Sequence, residues 1–292
     1  MPANTADARL NQARTFLFTP GDQPERIAKA LHIAVDVLII DLEDAVRSEN
    51  KESARSSMAK AIKENRSESG PLVFVRTNEI SSPEFSLDIK AALAANVDGI
   101  MLPKFSAGDY AEKADHLISQ EEALTKSKTL PVIGLVESST GVLSLLNSTK
   151  LPARVKRLAF GAADLYVDLG ISYSAQGPNS DFAMATLVMS SVNHKLAAPI
   201  DSPHFSVDDE AGLRESSKRA FAMGFGGKLA IHPKQLDLIA QSFAVSKSDE
   251  DWAMRVINQW SARETTKGAI LVDASLIDEA MVKRARQILG LL

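Results

Sequence analysis

Charged side chains recur where short β-rich apolar runs end. The second run ends in Asp41-Leu42-Glu43-Asp44, the third in Arg76-Thr77-Asn78 and the fourth in Lys104. The fifth ends in Glu137-Ser138-Ser139, the sixth in Gly161-Ala162-Ala163-Asp164, the seventh in Asp201 and the eighth in His232. One acid in such a place is most simply a helix N-cap or half of a loop ion pair. The set as a whole is different, because charges beside apolar strands are costly unless paired or metal-bound. Several carboxylates with few cations among them suit a hard divalent ion such as Mg2+.

The elements that must position these groups are legible as a repeat. The apolar runs are Arg14–Phe18, Val35–Asp41, Leu72–Asn78, Gly99–Lys104, Pro131–Glu137, Arg157–Gly161, Leu196–Asp201 and Gly227–His232. They start about 30 residues apart, the length of one strand plus a crossover helix. Val37 to Ile40 is apolar without alternation, as in a parallel strand covered on both faces. Helical spacing fills the gaps: Ile27, Leu31 and Ala34 after Pro24; Met58, Ala61 and Ile62; and Val142, Leu145 and Leu146 behind the possible caps Ser138 and Ser139. Eight such units predict an α/β fold, a (β/α)8 TIM barrel over residues 1–235, with an open doubly wound sheet as the alternative. Active sites of such barrels lie at the C-terminal strand ends, where the charged residues fall.

Residues 236–292 read as a C-terminal helical extension, a lid or an oligomer arm. A helix is expected from Ser248, as its N-cap, to Arg263, with Trp252, Val256 and Trp260 at spacing four. Gly268–Asp273 follows, then a last helix from about Asp278 with Val282, Ala285 and Ile288 on one face.

Composition narrows the chemistry. The chain has 292 residues, 45% hydrophobic and 24% charged, with 33 basic and 37 acidic side chains and a net charge of -4. That argues against a sequence-independent grip on nucleic acid. Cysteine is absent, which removes disulfides, thiol catalysis, thiolate zinc sites and iron–sulfur clusters. No apolar run approaches the roughly 20 residues of a membrane span, and Met1 to Arg14 lacks a signal-peptide core. A cytoplasmic protein without membrane partners is the default.

Several segments together resemble the citrate lyase beta-subunit family of acyl-CoA lyases, which includes malyl-CoA and citramalyl-CoA lyases. They are Arg14–Gly21, Asp41–Val46, Val75–Asn78, Ile100–Lys104, Val136–Gly141, Phe160–Leu165 and Gly224–Pro233, in the family order. The resemblance implies a Mg2+-dependent lyase that cleaves a short 3-hydroxy-dicarboxylyl-CoA to acetyl-CoA and a 2-oxo acid. It implies Glu137 and Asp164 as metal ligands; both should end adjacent strands and offer hard oxygens. Arg76 matches the arginine that binds the substrate carboxylate, which a guanidinium fork suits. A salt bridge from Arg76 to Glu43 or Asp44 is the structural alternative, and both roles can coexist. Arg76, Glu43 and Asp44 form the candidate catalytic set with Asp278, which matches an acid that relatives contribute from an adjacent subunit. Capping of the last helix is the alternative for Asp278. Arg14, Lys104 and the backbone NH groups of Gly161, Ala162 and Ala163 complete the candidate substrate contacts. Relatives further suggest a homo-oligomer, a trimer or a multiple of three.

Near Asp278 the chain departs from the common pattern: Asp273-Ala274-Ser275 stands in place of an Asp-Gly-basic turn, and Glu279-Ala280 where proline often follows. Gly224–Lys228 lacks phosphate-loop spacing and reads as a helix-to-strand turn. Two other readings stay open: a CoA-independent 2-oxo-acid aldolase, disfavoured because no histidine follows Asp41, and a subunit active only in a multi-subunit complex. Among citramalyl-CoA, malyl-CoA and citryl-CoA no residue discriminates.

Overall fold

The computed structural model describes residues 6–172, 177–263 and 268–291. Eight parallel strands close into a barrel in chain order: β1 (Thr15–Pro20), β2 (Val37–Asp41), β3 (Leu72–Arg76), β4 (Gly99–Leu102), β5 (Val132–Val136), β6 (Val155–Phe160), β7 (Ile200–Asp201) and β8 (Gly227–Ala230). Helix α1 (Ala6–Gln12) precedes the barrel. Helices α2 (Pro24–Ala30), α3 (Lys51–Asn65), α4 (Glu84–Ala94), α5 (Asp109–Thr125) and α6 (Ser139–Leu146) follow the first five strands in turn. After β6 come α7 (Ala162–Asp168) and α8 (Pro178–Asn193); α9 (Glu210–Met223) follows β7 and α10 (Leu236–Ser242) follows β8.

The unbroken apolar run of β2 has its reason in two cores. Val37 and Ile39 point into the barrel with Phe16, Phe74, Met101 and Leu135. Leu38 and Ile40 point outward onto Met58 and Ile62 of α3. Each buried aliphatic side chain contributes about 1.5–3 kcal/mol, so these strands are specified by burial on both sides. Strand β7 is shorter than the run Leu196–Asp201 predicts. Pro199 has no N–H to donate, and its carbonyl accepts from Gly226 N in an isolated bond before the ladder begins at Ile200.

Caps fall mostly where the sequence puts them. Ser138 Oγ accepts from Gly141 N at the start of α6, with Ser139 already inside the helix. Leu146, expected on the buried face, is 55% exposed, because α6 ends there and only Val142 and Leu145 turn inward. Ala34 is also exposed, beyond the end of α2. The glycine-rich stretch is the expected turn: Gly224, at φ 103°, closes α9 in a left-handed conformation that glycine adopts without strain.

The first compact unit runs through Phe243, past residue 235, because α10 packs on α9, β1 and β8. The second, from Ala244, has its own core of Ala253, Val256, Trp260, Val272, Ile277, Val282 and Ala285. It consists of α11 (Lys247–Ala262), an antiparallel hairpin of β9 (Ile270–Val272) and β10 (Ser275–Ile277), and α12 (Glu279–Ile288). The cap of α11 is Ser246, whose Oγ accepts from Asp249 N, and not Ser248; the helix begins one residue before Ser248, at Lys247.

Candidate active site

Strands β2 and β3 end in register, with Asp41 opposite Arg76. Guanidinium and carboxylate are therefore forced side by side. Arg76 Nε donates to Asp41 Oδ1 at 2.8 Å and Nη2 donates to Oδ2 at 2.6 Å, the two-pronged geometry that fixes an arginine. Asp41 Oδ1 and Oδ2 also accept from the amides of Glu43 and Ala45, which curls the acidic turn back over the strand end. Glu43 Oε2 then lies 3.0 Å and Asp44 Oδ2 3.6 Å from Arg76 Nη1. The ring of Phe18, near the end of β1, lies 5.0 Å from the guanidinium carbon.

Three carboxylates thus face one guanidinium. Burial works to lower the Arg76 pKa, but the Asp41 hydrogen bond and the charges of Asp41, Glu43 and Asp44 more than offset it, so the cation is held charged. Glu43 pays the converse penalty. Burial, with Asp44 and Asp41 adding to it against Arg76, raises its pKa to about 7. Its Oε2 is buried and has the Arg76 charge nearby without an aligned hydrogen bond.

Across the barrel, β5 and β6 pair Val136 with Phe160. The residues just beyond are Glu137 and Gly161. A Cβ at Gly161 would stand 2.4 Å from Glu137 Cβ and 2.8 Å from its Oε2, so glycine is what lets this glutamate sit here. Glu137 is 4% exposed, and its Oε1 accepts from the Lys104 amide at 2.6 Å. Lys104 holds that amide in place from a left-handed backbone, φ 49°, uncommon for a residue with a side chain. Burial raises the Glu137 pKa to about 8, with Glu43 and Asp164 adding to it against the Lys104 amide.

Arg76, Asp44, Glu137, Asp164 and Phe18 line one cavity of about 500 Å3 at the C-terminal end of the barrel. A carboxylate as destabilised as Glu137, sharing a cavity with a second one, is the donor set that a hard cation relieves. Among the described residues no cluster of three or more metal-ligating side chains occurs. Two protein carboxylates with room for water and substrate match what Mg2+ usually takes.

Other expected site residues lie elsewhere or act differently. Arg14 precedes β1 at the opposite end of the barrel, lining a hollow with His32 and Asp36; its amide donates to Asp36. Lys104 contributes its amide, while its Nζ pairs with Glu79 at 2.9 Å. Of the three expected backbone donors, Gly161 N continues the barrel ladder to Val136 O and Ala162 N is taken by Ser202 Oγ. Ala163, in the first turn of α7, is among the residues lining the cavity. Glu43 does not line the cavity; it stands against Arg76. Asp201 is spent on a buried ion pair with Lys228, and His232 caps the short helical turn Pro233–Gln235. Asp278, in the second unit, caps α12 by accepting from Met281 N at 3.1 Å.

Asp41 as the principal partner of Arg76 escapes the sequence reading, which offers Glu43 and Asp44. The signal was present: both residues end their runs, and parallel strands in register bring such ends together.

Comparison with known proteins places the chain. The chain is 29% identical over 281 residues to a citrate lyase subunit beta-like protein of Deinococcus radiodurans, covering 95% of this chain and 96% of that one. It is 28% identical over 304 residues to an L-malyl-CoA/beta-methylmalyl-CoA lyase of Cereibacter sphaeroides, covering 96% and 94%. The crystal structure of Mycobacterium tuberculosis CitE in complex with magnesium, acetoacetate and coenzyme A superposes with a TM-score of 0.78 at 26% identity, covering 96% of this chain and 98% of that one. The model of the HpcH/HpaI aldolase/citrate lyase family matches residues 14–233, the whole barrel from Arg14 to Pro233: the chain belongs to that family and is a lyase of its citrate lyase beta-subunit-like kind.

Proposed function

We propose that the protein is a Mg2+-dependent lyase that cleaves a short 3-hydroxy-dicarboxylyl-CoA, of the citramalyl-, malyl- or citryl-CoA type, to acetyl-CoA and a 2-oxo acid. The observation that supports it most is the meeting of Arg76, Glu137 and Asp164 in one cavity at the C-terminal strand ends. Glu137 and Asp164 would hold the ion, which would supply Lewis-acid polarisation of the acid's oxygens and offset the surplus of carboxylates. Arg76 binds the carboxylate of the acid fragment, and the Ala163 amide offers it a second donor. Asp41, Glu43 and Phe18 orient Arg76.

In the cleavage direction the 3-hydroxyl loses its proton. Asp44, the acid of the turn that lines the cavity, is the proposed acceptor. The bond between the hydroxyl carbon and the carbon next to the thioester breaks, its electron pair remaining on the acetyl-CoA side as an enolate. A proton from Asp278 of an adjacent subunit completes acetyl-CoA, and the 2-oxo acid leaves. The nucleotide of coenzyme A stays outside, since a cavity of about 500 Å3 holds only the acyl end. An acid lent by an adjacent subunit calls for a homo-oligomer, which the family resemblance suggests is a trimer or a multiple of three, and a reducing cytoplasmic compartment suits it. No helix among the described residues is long and apolar enough to cross a membrane.

The test is a panel of citramalyl-CoA, malyl-CoA and citryl-CoA incubated with the purified chain and Mg2+, with products resolved. Acetyl-CoA and a 2-oxo acid in equal amounts from at least one thioester is the expected result. Free coenzyme A with the hydroxy acid intact would mean thioester hydrolysis, and no product from any of the three would end the lyase reading.

A further inference from the structure

The acidic turn that loads Arg76 is not held by Arg76 alone. Lys51, at the start of α3, reaches back to it with its ammonium group. Its Nζ donates to Leu42 O at 2.9 Å, to Glu43 O at 3.1 Å and to Asn78 Oδ1 at 2.5 Å. An ammonium has three donors, and all three are used. Asn78, just past β3 and 6% exposed, donates its Nδ2 to Leu42 O at 3.0 Å and to Asp88 Oδ2 at 2.7 Å. Asp88, on α4 and wholly buried, accepts from Asn78 N at 2.8 Å and from Arg55 Nη1 at 3.0 Å. Lys51 and Asn78 thus grip, from behind, the carbonyls on either side of the peptide that presents Glu43.

We infer that Lys51 is a positioning residue for the substrate-carboxylate site, setting Arg76 through the backbone of the turn Leu42–Asp44. The turn's carbonyls are pulled toward α3, which leaves the side chains of Glu43 and Asp44 directed at Arg76 Nη1. Without the ammonium Leu42 O keeps only Asn78 Nδ2 and Glu43 O only the Val46 amide at 3.3 Å, so the turn is held more loosely and can lift. The guanidinium then keeps Asp41 but loses the second edge of its clamp. Misplacement of a binding group by about an ångström is enough to cost up to about a hundredfold. Asn78 alone cannot replace the grip, because its amide already serves Asp88 and Leu42.

The activity arm rests on the lyase reading, and a second arm does not. Lys51→Met keeps the stem and removes the donors; Lys60→Met, on the same helix with an exposed side chain, is the control. The expected result is a KM for the thioester raised about tenfold from the displaced Arg76 clamp, with kcat lowered as well because the same turn carries Asp44, the proposed proton acceptor. Lys51→Arg is expected not to rescue it, because a planar guanidinium does not fit three acceptors arranged around one nitrogen. A variant that merely folds less well would lose kcat with KM unchanged, and that outcome would overturn the inference. Hydrogen exchange decides without turnover. Lys51→Met should speed exchange at the amides of Glu43, Ala45 and Val46 at least tenfold while those of β2 stay protected. Unchanged exchange at the turn would sink the proposal. An inactive wild type with faster exchange in the variant would instead strike the lyase reading and leave Lys51 in its role.

Discussion

Two arginines, one fully and one largely buried, stand at opposite ends of the same barrel, and they could hardly be treated more differently. Arg157, early in β6, is 0% exposed and meets no carboxylate within hydrogen-bonding distance. Its Nη1 donates to Leu10 O and Ala13 O at 2.9 and 2.8 Å and its Nε to Ala198 O at 2.5 Å, with the Phe16 ring 5.0 Å away. Burial pushes its pKa down. Arg76, at the end of β3, is ringed by Asp41, Glu43 and Asp44 and pushed up. The first cation ties α1 to the floor of the barrel with neutral carbonyls. The second is surrounded by more negative charge than it neutralises. A stable protein tolerates such an excess where something else is to be bound, and the surplus continues across the cavity in Glu137 and Asp164.

This contrast can be broken by exchanging the consequences of mutation between the two ends. The largest effect is expected for Arg76→Lys, which keeps charge but loses the fork: kcat/KM for the thioester falls about a hundredfold or more, while the melting temperature moves little. Gly161→Ala should follow, with a loss of about tenfold or more in turnover, because its Cβ would displace Glu137. At the other end Arg157→Met should leave KM and turnover per folded molecule unchanged. It should cost about 3 kcal/mol in denaturant unfolding by stranding the carbonyls of Ala13 and Ala198 and leaving Leu10 O with the Ala13 amide alone. If Arg157→Met changed KM, or Arg76→Lys unfolded the chain, the division of labour between the ends would be wrong.

The smallest effect is the most specific. The Glu137 pKa of about 8 in the folded chain lies above its ordinary 4.5. Its contribution to stability is therefore fully present below about pH 4.5 and is lost as pH rises through 8. In chelator, Glu137→Gln should accordingly melt a few degrees above the wild type at pH 8 and show no such advantage at pH 4.5. Added Mg2+ should raise the wild-type melting temperature and not that of the variant. A wild type that is the more stable at pH 8 in chelator would mean that Glu137 is already compensated by the protein.

The barrel was legible because its strands are buried on both faces and its crossovers recur at one length; burial specifies such a pattern residue by residue. Two helix caps were legible too, since Ser138 and Asp278 act within three residues of themselves. The errors come where a neighbour in space decides. Leu196 to Pro199 is apolar enough for a strand, yet Pro199 interrupts the ladder. Ser246 and Ser248 are equally good caps by type, and only the path of the chain into α11 selects Ser246. The charged strand ends were visible as a group. Of their pairings, that of Arg76 with Glu43 and Asp44 was legible; Asp41 with Arg76, set by strand register, and Lys51 with Asn78, across 27 residues, were not. Arg14 shows the limit of motif matching. It lies in a matching segment but at the start of a strand, and the barrel directs starts and ends of strands to opposite faces.

The central claim is that the surplus of carboxylate at the C-terminal end exists to hold a divalent cation that the cleavage requires. The direct measurement is acetyl-CoA release from the most reactive of the three thioesters by wild type and by Glu137→Gln, each in Mg2+ and in excess chelator. Release by the wild type in Mg2+ alone, with the other three combinations at least a thousandfold lower, is the predicted result. Release that survives the chelator, or that Glu137→Gln sustains, would contradict it.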